Sequence, residues 1–295
     1  MFETGAGDAP VAVVSGNGNI PLQVVEAIEA RGRKALVFAI RGEANAKLMA
    51  RADVLIDWGK VGKLANSLKK HGCREVILIG GITRRPDYMS ILGDWGTWVR
   101  LPEILKTMLG GDGSLLSKVI HMFESEGFSI IGVKDVAPEI LAPEGALGTA
   151  TPSNEALRDI ELAKEATRLL GLVDAGQAAV AVKGRIVALE AAEGTDLMLE
   201  RCAEVRRLGR VRAPERTGVL VKTVKPGQDQ RVDLPAIGPN TIKNVVAAGL
   251  AGVAVQAGGA VIADFEETVA AADKAGVFIY GLPVPDEAAK VKGNV

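Results

Sequence analysis

Short apolar runs of strand length alternate with amphipathic stretches of helix length along the whole chain. The predicted strands cover residues 11–14, 34–39, 75–79, 128–133, 178–182, 185–189, 218–221, 252–255 and 277–282. Strands that alternate with helices indicate α/β architecture with largely parallel sheets. In the first half, a glycine turn and a helix follow the first strand, so this half is predicted to be Rossmann-like.

The regular pattern stops in the middle of the chain, where Pro138, Pro143 and Pro152 interrupt any periodicity. A chain of 295 residues is more typical of two domains than of one. We therefore predict an N-terminal Rossmann-like α/β domain at residues 1–136, which starts with a frayed leader. A Pro/Gly-rich linker at 137–154 then leads to a C-terminal α/β catalytic domain at 155–295.

Composition narrows the classes of function. The formal net charge is −1 and aromatic residues make up only 4%, which argues against a nucleic-acid partner. Cys73 and Cys202 are far apart and form no CxxC motif, so a thiolate zinc site is excluded. No apolar run approaches the ~20 residues of a membrane helix, and the N-terminus lacks a signal pattern. We expect a soluble, cytoplasmic protein.

A charged loop follows the predicted strand at 218–221. Its charged residues are Lys222, Lys225, Asp229, Arg231 and Asp233. Ligands of open α/β sheets bind at the carboxyl ends of strands, where helix N-termini converge. Cations beside carboxylates suit a phosphate together with a hard divalent ion such as Mg²⁺. The alternative is that these charges only solvate a long loop and pair with one another.

A second charged junction follows the strand at 185–189. Glu190, Glu193 and Asp196 are spaced so that they can converge on one point across a turn. The alternative is that Thr195 caps the following helix while Asp196 complements its dipole. That alternative is weaker for Glu190, because a carboxylate that ends an apolar strand needs a partner if it is buried.

Two glycine loops in the first half have the character of anion sites. Asn17 and Gly18 lie in a turn between a strand and a helix, where backbone N–H groups face an anion. The turn is not a dinucleotide fingerprint, because Pro21 occupies its third glycine position and no acid follows the next strand. The second loop, residues 80–86, places Arg85 after two glycines. Tight turns with solvated arginines are the competing interpretation.

Five strings together are distinctive: residues 16–21, 81–86, 133–145, 190–196 and 225–239. With them, the sequence closely resembles the LpxI family, the UDP-2,3-diacylglucosamine pyrophosphatases of lipid A biosynthesis, from about residue 11 to residue 282. The resemblance implies a cytoplasmic hydrolase of a Gram-negative bacterium that depends on Mg²⁺. Because the candidate metal ligands are all oxygens, Mn²⁺ is an alternative ion. Such an enzyme splits its UDP-lipid into UMP and lipid X, 2,3-diacylglucosamine 1-phosphate. It also implies two α/β domains that hold the lipid between them.

The resemblance implies a catalytic aspartate in the loop that contains Asp229 and Asp233, and both remain candidates. The expected catalytic residues are Asp233, Asp229 and Lys225. The expected metal ligands are Asp229, Asp233, Asp196 and Glu190. The expected substrate-binding residues are Asn17, Gly18, Arg85, Thr195, Lys222, Gln228 and Arg231. One departure from the family is a glycine in residues 110–113 where a second acid is expected.

The expected partner is a UDP-linked diacyl glucosamine lipid, and no nucleic acid. Peripheral contact with the inner membrane and a homodimer are compatible with this expectation. Since the chain has only two histidines, carboxylates must supply the metal ligands and any general base. Two alternatives stay open. A non-hydrolytic nucleotide-sugar enzyme needs no acid to activate water, and a nucleotide-binding protein needs neither Asp229 nor Asp233.

Overall fold

The computed structural model describes residues 9–57, 60–82 and 115–283, and the chain divides into two compact units. The first unit comprises Met1–Pro138 together with Arg231–Asp233. The second comprises Glu139–Gln230 together with Leu234–Val295. The first unit ends at Pro138, beside the domain boundary predicted at residue 136. Residues 110–113, where the family pattern is broken, lie outside the described residues.

The sheet of the first unit is parallel. Its strands are β1 (Val11–Ser15), β2 (Ala35–Ile40), β3 (Val54–Ile56), β4 (Glu75–Ile79) and β5 (Ser129–Ile130). They lie in the order β3-β2-β1-β4-β5, and every neighbouring pair is parallel. This is the Rossmann strand order, in which the chain reverses direction across the sheet between β1 and β4. The Rossmann-like prediction for this half is confirmed.

The helices of the first unit are α1 (Ile20–Ala30), α2 (Ala46–Ala50), α3 (Val61–Lys70), α4 (Leu115–Ser125) and α5 (Val133–Val136). The sequence of α3 is amphipathic, which explains why this segment forms a helix packed against the sheet. Leu64 and Leu68 are buried one turn apart, whereas Lys63 and Lys70 are exposed on the opposite face. The buried leucines pack in one core with Phe123 of α4 and with the residues of β1 and β2 that share their face of the sheet.

The second unit is built around a six-stranded sheet in the order β6-β13-β11-β9-β7-β8. Its strands are β6 (Gly145–Leu147), β7 (Ala178–Val182), β8 (Arg185–Leu189), β9 (Val219–Lys222), β11 (Gly252–Gln256) and β13 (Phe278–Leu282). Two short strands, β10 (Ala236–Ile237) and β12 (Val261–Ile262), pair separately. The helices are α6 (Asn154–Leu172), α7 (Gly194–Arg207), α8 (Pro239–Ala247) and α9 (Phe265–Ala275).

This second sheet is mixed, which differs from the expectation of largely parallel sheets. Strands β9, β11 and β13 are parallel, but β7 is antiparallel to both β8 and β9, and β6 is antiparallel to β13. The antiparallel pairing of β7 with β8 follows from a two-residue hairpin turn at Lys183 and Gly184, whose φ angles are 50° and 73°. The buried carboxylate of Asp159 accepts their N–H groups at 2.9 and 2.6 Å and fixes the turn.

Most of the segment predicted as a linker, residues 137–154, belongs to the second unit, which starts at Glu139. Ala142 donates its N–H to the carbonyl of Ala260 at 2.8 Å, and Leu141 forms a bridge with Val261. Gly145–Leu147 then pairs with β13 as an edge strand. The prolines therefore interrupt helix and strand patterns without separating the segment from the core, because each stretch between them finds a backbone partner.

Helix α6, with 19 residues, is the longest of the described helices. The hydroxyl of Ser153 caps it by accepting the N–H of Ala156 at 3.2 Å. Ala156, Ile160 and Ala163 are buried against the second sheet. Within the described ranges, no helix combines the length and the apolar character needed to span a bilayer.

Neither cysteine is expected to react in the folded protein. Burial raises the pKa of Cys73 to about 11, and burial also raises the pKa of Cys202. Since the thiolate is the reactive form, both thiols should resist Ellman's reagent at mildly alkaline pH and react promptly once denaturant is added. Fast labelling of either thiol in the native protein would contradict the burial seen here.

Candidate functional site

The two charged junctions start side by side at one edge of the second sheet. Strand β9 ends at Lys222, and Ala178, the first residue of β7, pairs with it. On the other side of Ala178, Glu190 follows the end of β8 and donates its N–H to the Ala178 carbonyl at 2.9 Å. The loop after β9 and the loop after β8 therefore leave the sheet two strands apart.

Glu190 is buried, with 7% of its surface exposed, and both carboxylate oxygens accept hydrogen bonds. The backbone N–H of Gln177 donates to Oε2 at 2.8 Å, and the Thr195 hydroxyl donates to Oε1 at 2.6 Å. Gly176 permits this packing, because a Cβ there would overlap the Glu190 carbonyl oxygen. The buried carboxylate is thus satisfied by neutral donors, as burial of a charge requires.

Asp196 links helices α7 and α8. It lies in the first turn of α7 and accepts Nδ2 of Asn240 at 3.1 Å and Nδ2 of Asn244 at 2.9 Å, both from α8. Glu193 is engaged elsewhere, in an ion pair with Arg201 at 2.6 Å. The two asparagines were not predicted from the sequence. The only signal was their i, i+4 spacing after the Gly-Pro helix start, which puts both on one face.

The three acids of the second junction therefore have three separate sets of partners. In the described parts of the chain, no group of three His, Cys, Asp or Glu side chains is placed to hold a metal ion. The convergence expected for Glu190, Glu193 and Asp196 is not seen. Metal binding by Glu190 or Asp196 stays a prediction, and it would require either carboxylate to exchange the hydrogen bonds it accepts.

Lys222 is buried at the end of β9, with 9% of its surface exposed. Its ammonium donates to the carbonyl of Ala236 at 3.0 Å. Ala236 opens β10, directly after the charged loop. Lys222, at the start of the loop, is therefore hydrogen-bonded to Ala236, at the end of the loop.

Lys225 and Gln228 shape the first turn of the loop. The Gln228 side chain accepts the Lys225 N–H at 2.9 Å, and the Lys225 carbonyl accepts the Gln228 N–H at 3.2 Å. The Lys225 ammonium donates to Asp174 at 2.7 Å, but the Asp174 side chain is 81% exposed. Such exposed pairs contribute only ~0–1 kcal/mol, so a phosphate can displace Asp174 at small cost. Gly171 lets α6 approach the loop, because a Cβ there would lie 2.6 Å from Pro226.

Arg231 belongs to the first unit, where it is held by a carboxylate and a carbonyl. Its Nη1 donates to Glu124 of α4 at 2.7 Å and to the carbonyl of Ile130 at 3.3 Å. Gly132 makes room for this approach, because a Cβ there would lie 2.9 Å from the Arg231 Cα. Pyrophosphate binding by Arg231 stays a prediction, since this nitrogen already has two acceptors.

The two candidate catalytic acids fall in different units. Asp229 is half-buried and belongs to the second unit, whereas Asp233 is exposed and groups with the first unit. Both take part in polar interactions within the folded chain.

In the first unit, Asn17 and Gly18 lie where β1 and β4 end, at the reversal point of the sheet. Asn17 and Gly81 exchange two backbone hydrogen bonds, at 2.7 and 3.0 Å, which lock the two glycine loops together. The Asn17 side chain accepts the N–H of Gly18 at 2.7 Å. Asn45 donates to the Gly18 carbonyl at 2.9 Å, a contact that the sequence did not reveal. Arg85, the remaining candidate here, lies outside the described residues.

Comparison with known proteins matches both units to one family. Residues 10–140 match the model of the LpxI N-terminal domain, and residues 143–280 match that of the LpxI C-terminal domain. The chain belongs to the LpxI family. It is 38% identical over 272 residues to a protein of Caulobacter vibrioides named UDP-2,3-diacylglucosamine pyrophosphatase LpxI. The match covers 92% of this chain and 97% of that relative, so the family resemblance seen in the sequence is confirmed.

Proposed function

We propose that this chain hydrolyses the pyrophosphate bond of UDP-2,3-diacylglucosamine and releases UMP and 2,3-diacylglucosamine 1-phosphate in lipid A biosynthesis. The observation that carries the proposal is the match to a relative of that named activity over 97% of its length. A match of this extent includes both domains and both charged junctions of this chain.

The loop after β9 supplies the groups that the reaction needs. A pyrophosphate carries charge that must be neutralised before water can attack it. Lys225 can do this, because its ammonium pairs with the exposed carboxylate of Asp174, 2.7 Å away, which a phosphate can replace. Asp229 or Asp233 orients the attacking water and accepts its proton, a task that falls to carboxylates in a chain with two histidines.

The donor set of the loop fits Mg²⁺. This ion is commonly held by one or two carboxylates together with substrate phosphates, so a preformed group of three acids is not needed. Asp229 and Asp233 are the residues that would hold it. Glu190 and Asp196 fit less well, because their oxygens already accept N–H and O–H donors of the second unit. When bound, the ion would polarise the pyrophosphate oxygens and stabilise the departing phosphate.

Activity is expected to disappear in EDTA and to return on addition of Mg²⁺ or Mn²⁺, because the proposed ligands are all oxygen atoms. Product release measured before and after metal restoration checks this. Undiminished turnover in the chelator, with metal analysis of the protein negative, would remove the ion from the mechanism.

The proposed function is tested by incubating the purified chain with UDP-2,3-diacylglucosamine and quantifying both products by mass spectrometry. We expect UMP and lipid X to appear in equal amounts. Release of UDP instead of UMP would identify a different bond and favour a non-hydrolytic nucleotide-sugar enzyme. UDP-N-acetylglucosamine, which lacks the two long acyl chains, serves as the control substrate and should be turned over poorly.

A further inference from the structure

Two buried charges lie in one row of the second sheet, separated by a single alanine. Ala178 pairs with Lys222 on one side and is bonded to Glu190 on the other. Residues opposite one another in neighbouring strands direct their side chains to the same face. Glu190 and Lys222 are therefore on the same face of the sheet as Ala178, about 10 Å apart across two strand spacings. Both are buried, at 7% and 9% exposure.

Around these two charges the polar contacts form a continuous path. On one side, the Lys222 ammonium donates to the Ala236 carbonyl. The chain then continues into α8, where Asn240 and Asn244 donate to the Asp196 carboxylate. On the other side, Thr195, the neighbour of Asp196, donates to Glu190. We call this set the polar ring, and its members are Lys222, Ala236, Asn240, Asn244, Asp196, Thr195, Glu190, Gln177 and Thr223.

The polar ring closes at Thr223, the first residue of the loop after β9. Gln177 donates its N–H to Glu190 at 2.8 Å, and its carbonyl accepts the N–H of Thr223 at 3.1 Å. Thr223 is also fixed from the side, because its hydroxyl lies 2.8 Å from the hydroxyl of the buried Thr167. The ring thus holds the chain at residue 223, where the loop begins, and at residue 236, where it ends.

We propose that Lys222 and Glu190 are positioning residues that fix both ends of the loop carrying Asp229 and Asp233, and are not ligands of the pyrophosphate or the metal ion. For Glu190, both oxygens are already satisfied by neutral donors within the unit. For Lys222, the ammonium is directed at a backbone carbonyl at the far end of the loop. This inference rests on the proposed function, since it concerns the placement of the residues that perform it.

Kinetics of Lys222 variants separate positioning from binding. A displacement of about 1 Å in a catalytic group can cost ~10²-fold in rate. Lys222→Met should therefore lower kcat at least ~10-fold while KM stays within about threefold. Lys222→Arg should recover most of kcat, because a guanidinium can still donate to the Ala236 carbonyl. Lys243→Met, which removes an exposed lysine of α8, is the matched control. A rise in KM as large as the fall in kcat would identify Lys222 as a phosphate ligand and overturn the proposal.

Glu190→Gln separates positioning from metal binding. Glutamine keeps one acceptor but presents an NH₂ group to the second donor, so one contact of the ring is lost. We expect kcat to fall while the Mg²⁺ concentration for half-maximal activity is unchanged. A metal ligand would instead raise that concentration several-fold. Glu200→Gln, at an exposed position of α7, is the control.

Hydrogen exchange gives a readout that does not depend on turnover. Amides of residues 223–235 should exchange faster in Lys222→Met and Glu190→Gln than in the wild type or either control. If Lys222→Met does not fold, Glu190→Gln and the rescue by Lys222→Arg carry the test. If the wild type releases no UMP, the proposed function fails, while faster exchange would still support the ring. Unchanged exchange in folded variants of both residues would overturn it.

Discussion

Alanine at Asp229 or Asp233 is expected to lower kcat at least ~10²-fold, the usual scale for loss of a general base. A residue that acts in the transition state affects kcat far more than KM. The fold should survive, because neither carboxylate lies in a hydrophobic core: Asp229 is half-buried and Asp233 is exposed. Steady-state kinetics with UDP-2,3-diacylglucosamine measure the effect, and thermal melts monitor folding.

Two further variants give this experiment its controls. Lys225→Ala should raise KM as well as lower kcat, since a phosphate contact exists in the bound substrate too. Glu215→Ala removes an exposed loop carboxylate of the second unit and should leave both constants near the wild type. If both aspartate variants are folded and turn over normally, the charges of this loop are only a solvated surface.

A large effect on stability is expected from Gly16→Ala. A Cβ at Gly16 would overlap the carbonyl oxygen of Gly81 and would lie 3.0 Å from the carbonyl oxygen of Gly80. These are backbone atoms, and the hydrogen bonds between Asn17 and Gly81 prevent their retreat. We expect a loss of about 3 kcal/mol in the free energy of unfolding, the upper range for overpacking.

Gly18→Ala is the matched control, two residues away in the same turn. A Cβ there meets nothing within 4 Å, but the residue has a φ of 100°. Its cost is therefore backbone strain alone, about 1–2 kcal/mol. In urea denaturation, the unfolding midpoint of Gly16→Ala should be clearly lower than that of Gly18→Ala. Equal midpoints would mean that the two glycine loops do not pack as closely as described.

Much of the fold was accessible from local patterns. Strand, glycine turn and helix at residues 11–31 predicted the first βαβ unit, and parallel pairing follows because a helix must cross over between such strands. Lys183-Gly184 between two apolar runs is recognisable in the sequence as a turn. The antiparallel pairing of the two strands that it joins was nevertheless not predicted. The strand at residues 145–147 was not predictable, because a three-residue edge strand gains its structure from the partner strand rather than from its own propensity.

The candidate site was predictable in position but not in its contacts. Ligand chemistry at the ends of strands follows from the α/β pattern, so Glu190 and Lys222 were found. The partners of these residues lie far apart in sequence: Ala236 for Lys222, and Gln177 for Glu190. Local patterns carry no information on such tertiary hydrogen bonds. The asparagine pair that holds Asp196 was missed for the same reason.

Turnover in water enriched in ¹⁸O tests the central claim most directly. Hydrolysis of the pyrophosphate bond must place one oxygen atom from water in the phosphate of UMP or of lipid X. We expect one ¹⁸O per bond broken, found by mass spectrometry in one of the two products. We expect no labelled product when Asp229 and Asp233 are both replaced. Products without ¹⁸O, or UDP as the released nucleotide, would contradict it.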